Sequence, residues 1–342
     1  MQSLPGTCRL TWLALFVALA SVAPRVESAE PLRWKFTVGE KLDYKMVQEM
    51  NMTMTGAQPG GIGAQPGGIG TTMHQQMDMS WNVQGVNDDG EAVILQTFDR
   101  VQMKMNAVGQ GFEYDSDSEA APTGMAAMIA PLYEAMTKGE FEFTMTSRGE
   151  VKDVKIPEEV LAALKNSPAA ATMGDMATAE GFQKMIMQGA MVLPENAPEA
   201  GEQWSSTIEM NNPVAGKQTV ETSYTYDGTK DVEGTTYAVF RPALKMNFEG
   251  NEMLQMKVSD QSSEGEVLFN QEAGRLHSSN LKQKLSIDVS VAGQTLKQEI
   301  DQTIAVTVAP AKEEEEQVPE SPSAAAPPAA TESSEPAAPA EN

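Results

Sequence analysis

The stretch KLDYKMVQEMNMTM, residues 41–54, decides the fold class. Leu42, Tyr44 and Met46 recur at every second position, with Asp43 and Lys45 between them. A period of two puts successive side chains on opposite faces of an extended chain, so the segment predicts a strand with one apolar face. Beyond Met46 the pattern reads as slipping by one residue, a bulge, after which Met50, Met52 and Met54 share a face.

The same alternation extends outward. TTMHQQMDMSWNVQGV (71–86) places Met77, Met79 and Trp81 together, and NDDG (87–90) supplies the Asp and Gly that a hairpin turn needs. EAVILQTFDRVQMKMNAV (91–108) continues as one strand or two, and GFEYDS (111–116) adds another. Between the first two strands stands GAQPGGIGAQPGGIG (56–70), a heptad written twice. Gly and Pro hold neither strand nor helix, so this segment predicts a flexible surface loop of a hairpin. Such a loop is easily lengthened, because closure entropy grows only by about 0.6 kcal/mol per doubling.

The second half has the same style. QWSSTIEMN (203–211), KQTVETSYTYDG (217–228), TTYAVFRPALKMNFEG (235–250), GEVLFNQEAG (265–274), RLHSSNLKQKLSIDVSV (275–291) and QTLKQEIDQTIAVTV (294–308) read as strands joined by Gly, Asn or Asp turns. Helical spacing is confined to the centre. PTGMAAMIAPLYEAMTKG (122–139) is one helix that Pro131 should interrupt. IPEEVLAALKNS (156–167) has Pro157 and two glutamates suited to a first turn, and TAEGFQKMIMQG (178–189) ends on Gly189. The expected fold is mainly β, a β-rich α+β arrangement. Two antiparallel β-meander regions, 31–155 and 195–309, flank a helical connection, 156–190, within a domain spanning 29–309.

The ends are of another kind. Arg9 followed by the apolar run Leu10–Ala20 resembles a signal peptide, with small-residue cuts before Ser21 or before Ala29. The run is too short to span a bilayer, which takes about twenty residues. Removal of 1–28 takes away Cys8, the one cysteine, and with it disulfides, thiol nucleophiles and thiolate metal ligands. No later segment is long and apolar enough to be a transmembrane helix. Residues 310–342, rich in Pro, Ala, Ser and Glu, predict a disordered acidic tail. A net charge of −24 argues against a nucleic-acid partner. The expectation is an exported protein, periplasmic or extracellular.

Catalytic chemistry finds little support. The two histidines, His74 and His277, lie far apart on separate strands, and no G-x-S-x-G, H-E-x-x-H, Walker or G-x-G-x-x-G pattern occurs. YDSDSE (114–119) alternates oxygen ligands, Asp115, Asp117 and Glu119, but Ala120 and Ala126 stand where a calcium loop wants Gly and Glu. A strand-ending turn is the reading adopted. Methionine is unusually frequent, 23 in 342. Met50, Met52, Met54, Met73, Met77 and Met79, with His74 nearby, have the Met-x-Met spacing of thioether sites for Cu(I). Because methionine also recurs in the helices and distant strands, core filling by a flexible apolar residue is preferred. Trp204, opening the second β-region, is expected to be a buried anchor. No catalytic, cofactor or metal residue is assigned.

PLRWKFTVGEKLDYKMVQEM, then YDS at 114–116, FEFTMTSRGEVKDV and VLPENAPEAGEQWS resemble an uncharacterised family of exported bacterial proteins, the domain of unknown function 6263. Gly39, Tyr44, Tyr114, Asp115, Ser116, Gly149, Val151, Pro194, Gly201 and Trp204 occupy the places of its motifs, and the resemblance covers most of 31–309. It implies an exported β-rich domain and no catalytic residues. The function expected is binding or association with an envelope component, by a non-enzymatic protein. The alternatives are a carrier of an apolar ligand, enclosed by sheet and helices, and a Met-based copper binder. A lined cavity of several hundred cubic ångströms favours the carrier.

Overall fold

The computed structural model describes residues 30–56, 68–107, 110–167, 175, 178–212, 216–250, 254–291 and 294–308. Residues 1–28, read above as a signal peptide, most of the Gly/Pro repeat (57–67) and the acidic stretch 310–342 lie outside the described residues.

The alternating segments form twelve strands of one antiparallel sheet. They are β1 (Lys41–Gly56), β2 (Ile69–Val86), β3 (Ala92–Ala107), β4 (Gln110–Asp115), β5 (Phe141–Met145), β6 (Val151–Lys155), β7 (Gln203–Asn212), β8 (Gly216–Val232), β9 (Thr235–Glu249), β10 (Leu254–Asn270), β11 (Arg275–Val291) and β12 (Gln294–Val308). The spatial order is β6-β5-β3-β2-β1-β12-β11-β10-β9-β8-β7, with β4 pairing the second half of β3. Pairing of β1 with β12, from Tyr44↔Val308 to Gly56↔Leu296, joins the two β-regions into one sheet. The turns use the chemistry that their residues offer: Gly90 (φ 76°) closes β2–β3, while Glu233 and Gly234 (φ 52° and 84°) close β8–β9. The Gly/Pro repeat links the β1–β2 hairpin, which pairs as far as Met54↔Ile69.

Two local expectations need correction. The slip after Met46 does not occur: β1 pairs with both neighbours in unbroken register. Leu42, Tyr44, Met46, Met50, Met52 and Met54 therefore share one face. The apparent break is Gln48, a polar residue on that inner face whose amide donates to Gln302 Oε1 (3.4 Å). Register shifts occur elsewhere, at Asp78/Met79 and Val83/Gly85 of β2. The second correction is β10, which already begins at Leu254, ahead of the GEVLFN segment that the alternation marked.

Among the described residues three helices sit against the sheet: α1 (Met125–Lys138), α2 (Glu158–Asn166) and α3 (Ala179–Gly189). α1 runs through Pro131 without interruption. Pro131 and Ala127 are both exposed, so the carbonyl that proline leaves unpaired meets water. Ala126 and Ala130 press the opposite face against Tyr114. Thr178 caps α3, its hydroxyl accepting from Gly181 N (3.1 Å). Among the described residues no helix is long and apolar enough to cross a membrane.

The core shows that the sheet is rolled. Val83, Ile94, Phe143, Met145 and Val151, from one end of the strand order, form a single buried cluster with Ala238, Phe240, Val267 and Phe269 from the other. The opening between edge strands β6 and β7 is closed by α3 and the chain that leaves it. Gln183 Nε2 donates to Val154 O of β6 (2.8 Å), and Trp204 Nε1 of β7 donates to Val192 O (2.8 Å). The segment preceding β1 plugs one end: Trp34 N donates to Ser147 O (2.7 Å), and Lys35 N to Gly274 O (2.9 Å).

Candidate ligand cavity

A cavity of about 310 Å³ lies inside the roll. Its walls follow from strand alternation, which turns every second side chain of many strands inward. Tyr44, Met79, Trp81 and Gln96 face it from β1, β2 and β3, and Phe143, Met145 and Val151 from β5 and β6. Tyr224, Val267, Ser279 and Val306 face it from β8, β10, β11 and β12. Trp34 and Leu276 lie toward the plugged end, and Ile186, Ala190 and Met191 close the side between the sheet edges.

The aromatic wall is held by ring contacts. Trp34 meets Phe269 edge-on (5.3 Å), Trp81 meets Tyr44 (5.1 Å) and Phe143 (5.7 Å) in the same way, and Trp34 stacks on Phe36 (6.3 Å). Edge-to-face pairs at such spacing fix ring orientation as well as burying area. Trp81 spends its donor on Gln96 Oε1 (2.9 Å), and Trp34 on Met191 O (3.4 Å), so both indoles present carbon to the lumen.

The polar groups are few. Burial pushes the Tyr224 phenol up to about 12 and raises Tyr44 further, Arg275 opposing that rise and Glu40 adding to it. Both phenols are therefore neutral at ordinary pH. Glu40 pairs with Arg275 through Oε1. Tyr44 Oη and Glu40 Oε2 are buried without a hydrogen-bond partner among the described residues.

Past the cavity the inner face crosses a seam of glutamines. Gln302 Nε2 donates to Gln283 Oε1 (2.6 Å), Gln48 to Gln302, and Gln75 to Tyr133 Oη of α1 (3.4 Å). Beyond the seam lie the methionines. Register places Met50, Met73 and Met105 in one row across β1, β2 and β3. His74 neighbours Met73 in sequence and so points to the opposite face, where it meets Glu49 (3.6 Å). His74 and the thioether row thus do not share a site. The core expectation for these residues also needs correction: Met46, Met77 and Met79 on the cavity side of the seam are half-buried, and so are Met50, Met52, Met54 and Met73 beyond it, where strands of 16 and 18 residues outrun the layer that covers them. His277 lies against the Tyr237 ring (4.7 Å). Among the described residues no group of three His, Cys, Asp or Glu side chains is placed to hold a metal.

YDSDSE borders a separate polar groove of about 620 Å³ between β4, α1 and the loop joining them. Asp115 ends β4 and takes both donors of Arg100, Nε at 3.0 Å and Nη2 at 2.6 Å, with Gln102 Nε2 at 2.9 Å. The Arg100 guanidinium holds this carboxyl well below the usual carboxylate range. Trp204, expected to be fully buried, is half-buried, stacked on Tyr224 (6.0 Å) with Phe240 edge-on (5.6 Å). Sequence reasoning passed over Trp34, although Leu32, Trp34 and Phe36 alternate with Arg33, Lys35 and Thr37. The available signal was tryptophan itself: of four in the chain, Trp34, Trp81 and Trp204 all join the same core.

No curated protein matches the chain. Among solved structures, lipovitellin, described in terms of its lipid–protein interactions, aligns over 81% of this chain at 13% identity and a TM-score of 0.40. The chain spans about a quarter of lipovitellin's length (26%). An outer membrane channel from Pseudomonas putida F1 aligns over 84% of this chain and 100% of its own, at 9% identity and a TM-score of 0.23. DynF of the dynemicin pathway of Micromonospora chersina aligns over 82% and 85%, at 7% identity and a TM-score of 0.21. The family of unknown function DUF6263 matches residues 89–274. This is narrower than the resemblance suggested, taking in Tyr114, Gly149 and Trp204 but not Gly39 or Tyr44. With more than half of its length matched, from the turn before β3 to the end of the β10–β11 turn, the chain belongs to this family.

Proposed function

We propose that the protein is an exported, non-enzymatic binding protein that holds a small apolar molecule inside its rolled sheet. The observation that supports this reading is the cavity. Its 310 Å³ is walled by Trp34, Trp81, Phe143 and Met145, beside the buried cluster that includes Ile94, Phe240 and Phe269. Pockets for small molecules begin at about 300 Å³ and are mostly apolar with a few placed polar groups. A close-packed interior normally leaves few voids larger than a water molecule, so a space of this size in the core invites a functional explanation. Export rests on Arg9 followed by the apolar run Leu10–Ala20 and its small-residue cuts.

The test is calorimetric titration of the purified mature protein with butylbenzene. Saturable binding at one site, with a negative heat-capacity change from apolar burial, is expected. Absence of binding up to the solubility of the probe overturns the reading.

A further inference from the structure

We propose that Met50, Met73 and Met105 together bind a single Cu(I) ion through their thioether sulfurs. The inference does not rest on the lumen, because the glutamine seam separates that cavity from the row. Strand register carries it. Met50 of β1 stands directly opposite Met73 of β2, and Met73 directly opposite Met105 of β3. Side chains so placed leave the backbone about 5 Å apart. All three lie on the inner, concave side of a rolled sheet, where side chains from neighbouring strands converge as they extend. The unbranched methionine chain then lets each sulfur swing to a common point.

Neither core filling nor strand propensity accounts for these methionines standing abreast. Each is half-buried, so none fills a closed core. A half-covered strand surface suits β-branched residues, and ordering a methionine there costs more rotamer freedom. Met52, the next inward residue of β1, already uses its sulfur to accept from Gln298 Nε2 (2.8 Å) and is left out of the set.

The surroundings select the metal. Beyond the seam the inward positions of β1, β2 and β3 hold Met, Thr, Ile, Ala and Gly, and Gln302 and Phe112 flank the row on β12 and β4. The charged neighbours in sequence, Glu49, His74 and Lys104, alternate to the outer face. Soft, neutral donors suit a soft monovalent cation, whereas zinc and calcium want thiolate, imidazole or carboxylate. A net charge of −24 draws cations toward the chain.

The experiment titrates the mature protein with Cu(I), without oxygen, against the chelator bicinchoninate. In parallel, Ag(I), a redox-stable stand-in, is added to wild-type protein with isotope-labelled methionine methyls and followed by NMR. A single Cu(I) per chain is expected, and Ag(I) should shift the methyls of Met50, Met73 and Met105 but not those of Met246 and Met256. Met50→Leu, Met73→Leu and Met105→Leu nearly conserve volume. Each should weaken Cu(I) binding at least about tenfold, since losing even an outer partner of a metal site costs that much. Met246→Leu should bind as the wild type does, and Zn(II) should not displace the ion. The inference is overturned by loss of all Cu(I) to the chelator, by Ag(I) shifts at other methionines in place of these, or by undiminished binding in the three row variants. Displacement by Zn(II) overturns the assignment of the metal. The Ag(I) arm needs only the wild type, so it decides even where a variant fails to fold.

Discussion

The two ends of the inner face carry the same period-two pattern and meet different fates. At the plugged end Ile94, Phe143, Phe240 and Phe269 are at most 2% exposed, because the far edge of the sheet, α3 and Trp34 stand opposite them. Past the glutamine seam, Met50, Met52, Met54 and Met73 on the same face are half-buried. On β9–β12 this region has its own cluster around Leu285, Ile287 and Val289. Alternation therefore states which side of a strand is apolar. Whether that side becomes core depends on a second layer, and here the second layer reaches only part of the way.

The largest expected effect tests that contrast directly. Phe240→Ala should destabilise by about 3–5 kcal/mol, since a fully buried ring is lost and a cavity is left. Met52→Ala should cost only about 1 kcal/mol, as a half-buried side chain has half as much to lose. Denaturant midpoints measure both, and similar costs would erase the distinction between the ends.

Gly149 tests how the covered end is closed. It sits in the β5–β6 turn at φ 95°, and a Cβ there would meet Met191 O and the Trp34 indole, 2.7 Å from Nε1. Gly149→Ala should cost about 1–3 kcal/mol from backbone strain, with further loss from displacement of the plug. Unchanged stability together with unchanged Trp34 fluorescence would show that the plug is not seated by this turn.

Much of this architecture was legible in the sequence because it is locally encoded. Strand period, the NDDG turn, and the glutamates opening α2 identify themselves within a few residues. The rolled closure did not, since Val83 of β2 and Phe269 of β10 join one cluster only once β1, β12 and β11 have paired between them. Gln48 was misread as a break because an inward polar residue makes sense only with Gln302 beside it. Tyr44 was recognised as an inward position, but its unpaired hydroxyl depends on contacts with chain more than two hundred residues away. No local motif marks a cavity assembled from nine strands, a helix exit and the segment that precedes β1.

The smallest effect concerns the outside of the molecule. Asp115→Asn removes the carboxylate that Arg100 grips and should cost about 0.5–1 kcal/mol at pH 7, as for other partly exposed ion pairs. Because Asp115 is held below its ordinary value in the fold, its contribution is complete above about pH 4 and is lost as pH falls through the lower folded value. The gap between variant and wild type should therefore shrink in acid. A gap independent of pH would mean that the side chain matters for packing, not for charge.

The central claim is that the covered end, and not the methionine-lined end, holds the ligand. Ala190 lines the lumen where the chain leaves α3, and Ala190→Phe would fill that space from one side. Butylbenzene titration of this variant should show at least about a tenfold loss of affinity, with stability kept or raised by the filled cavity. Met52→Phe, beyond the seam, should leave affinity unchanged. Undiminished binding in Ala190→Phe, or loss in Met52→Phe alone, would contradict the account.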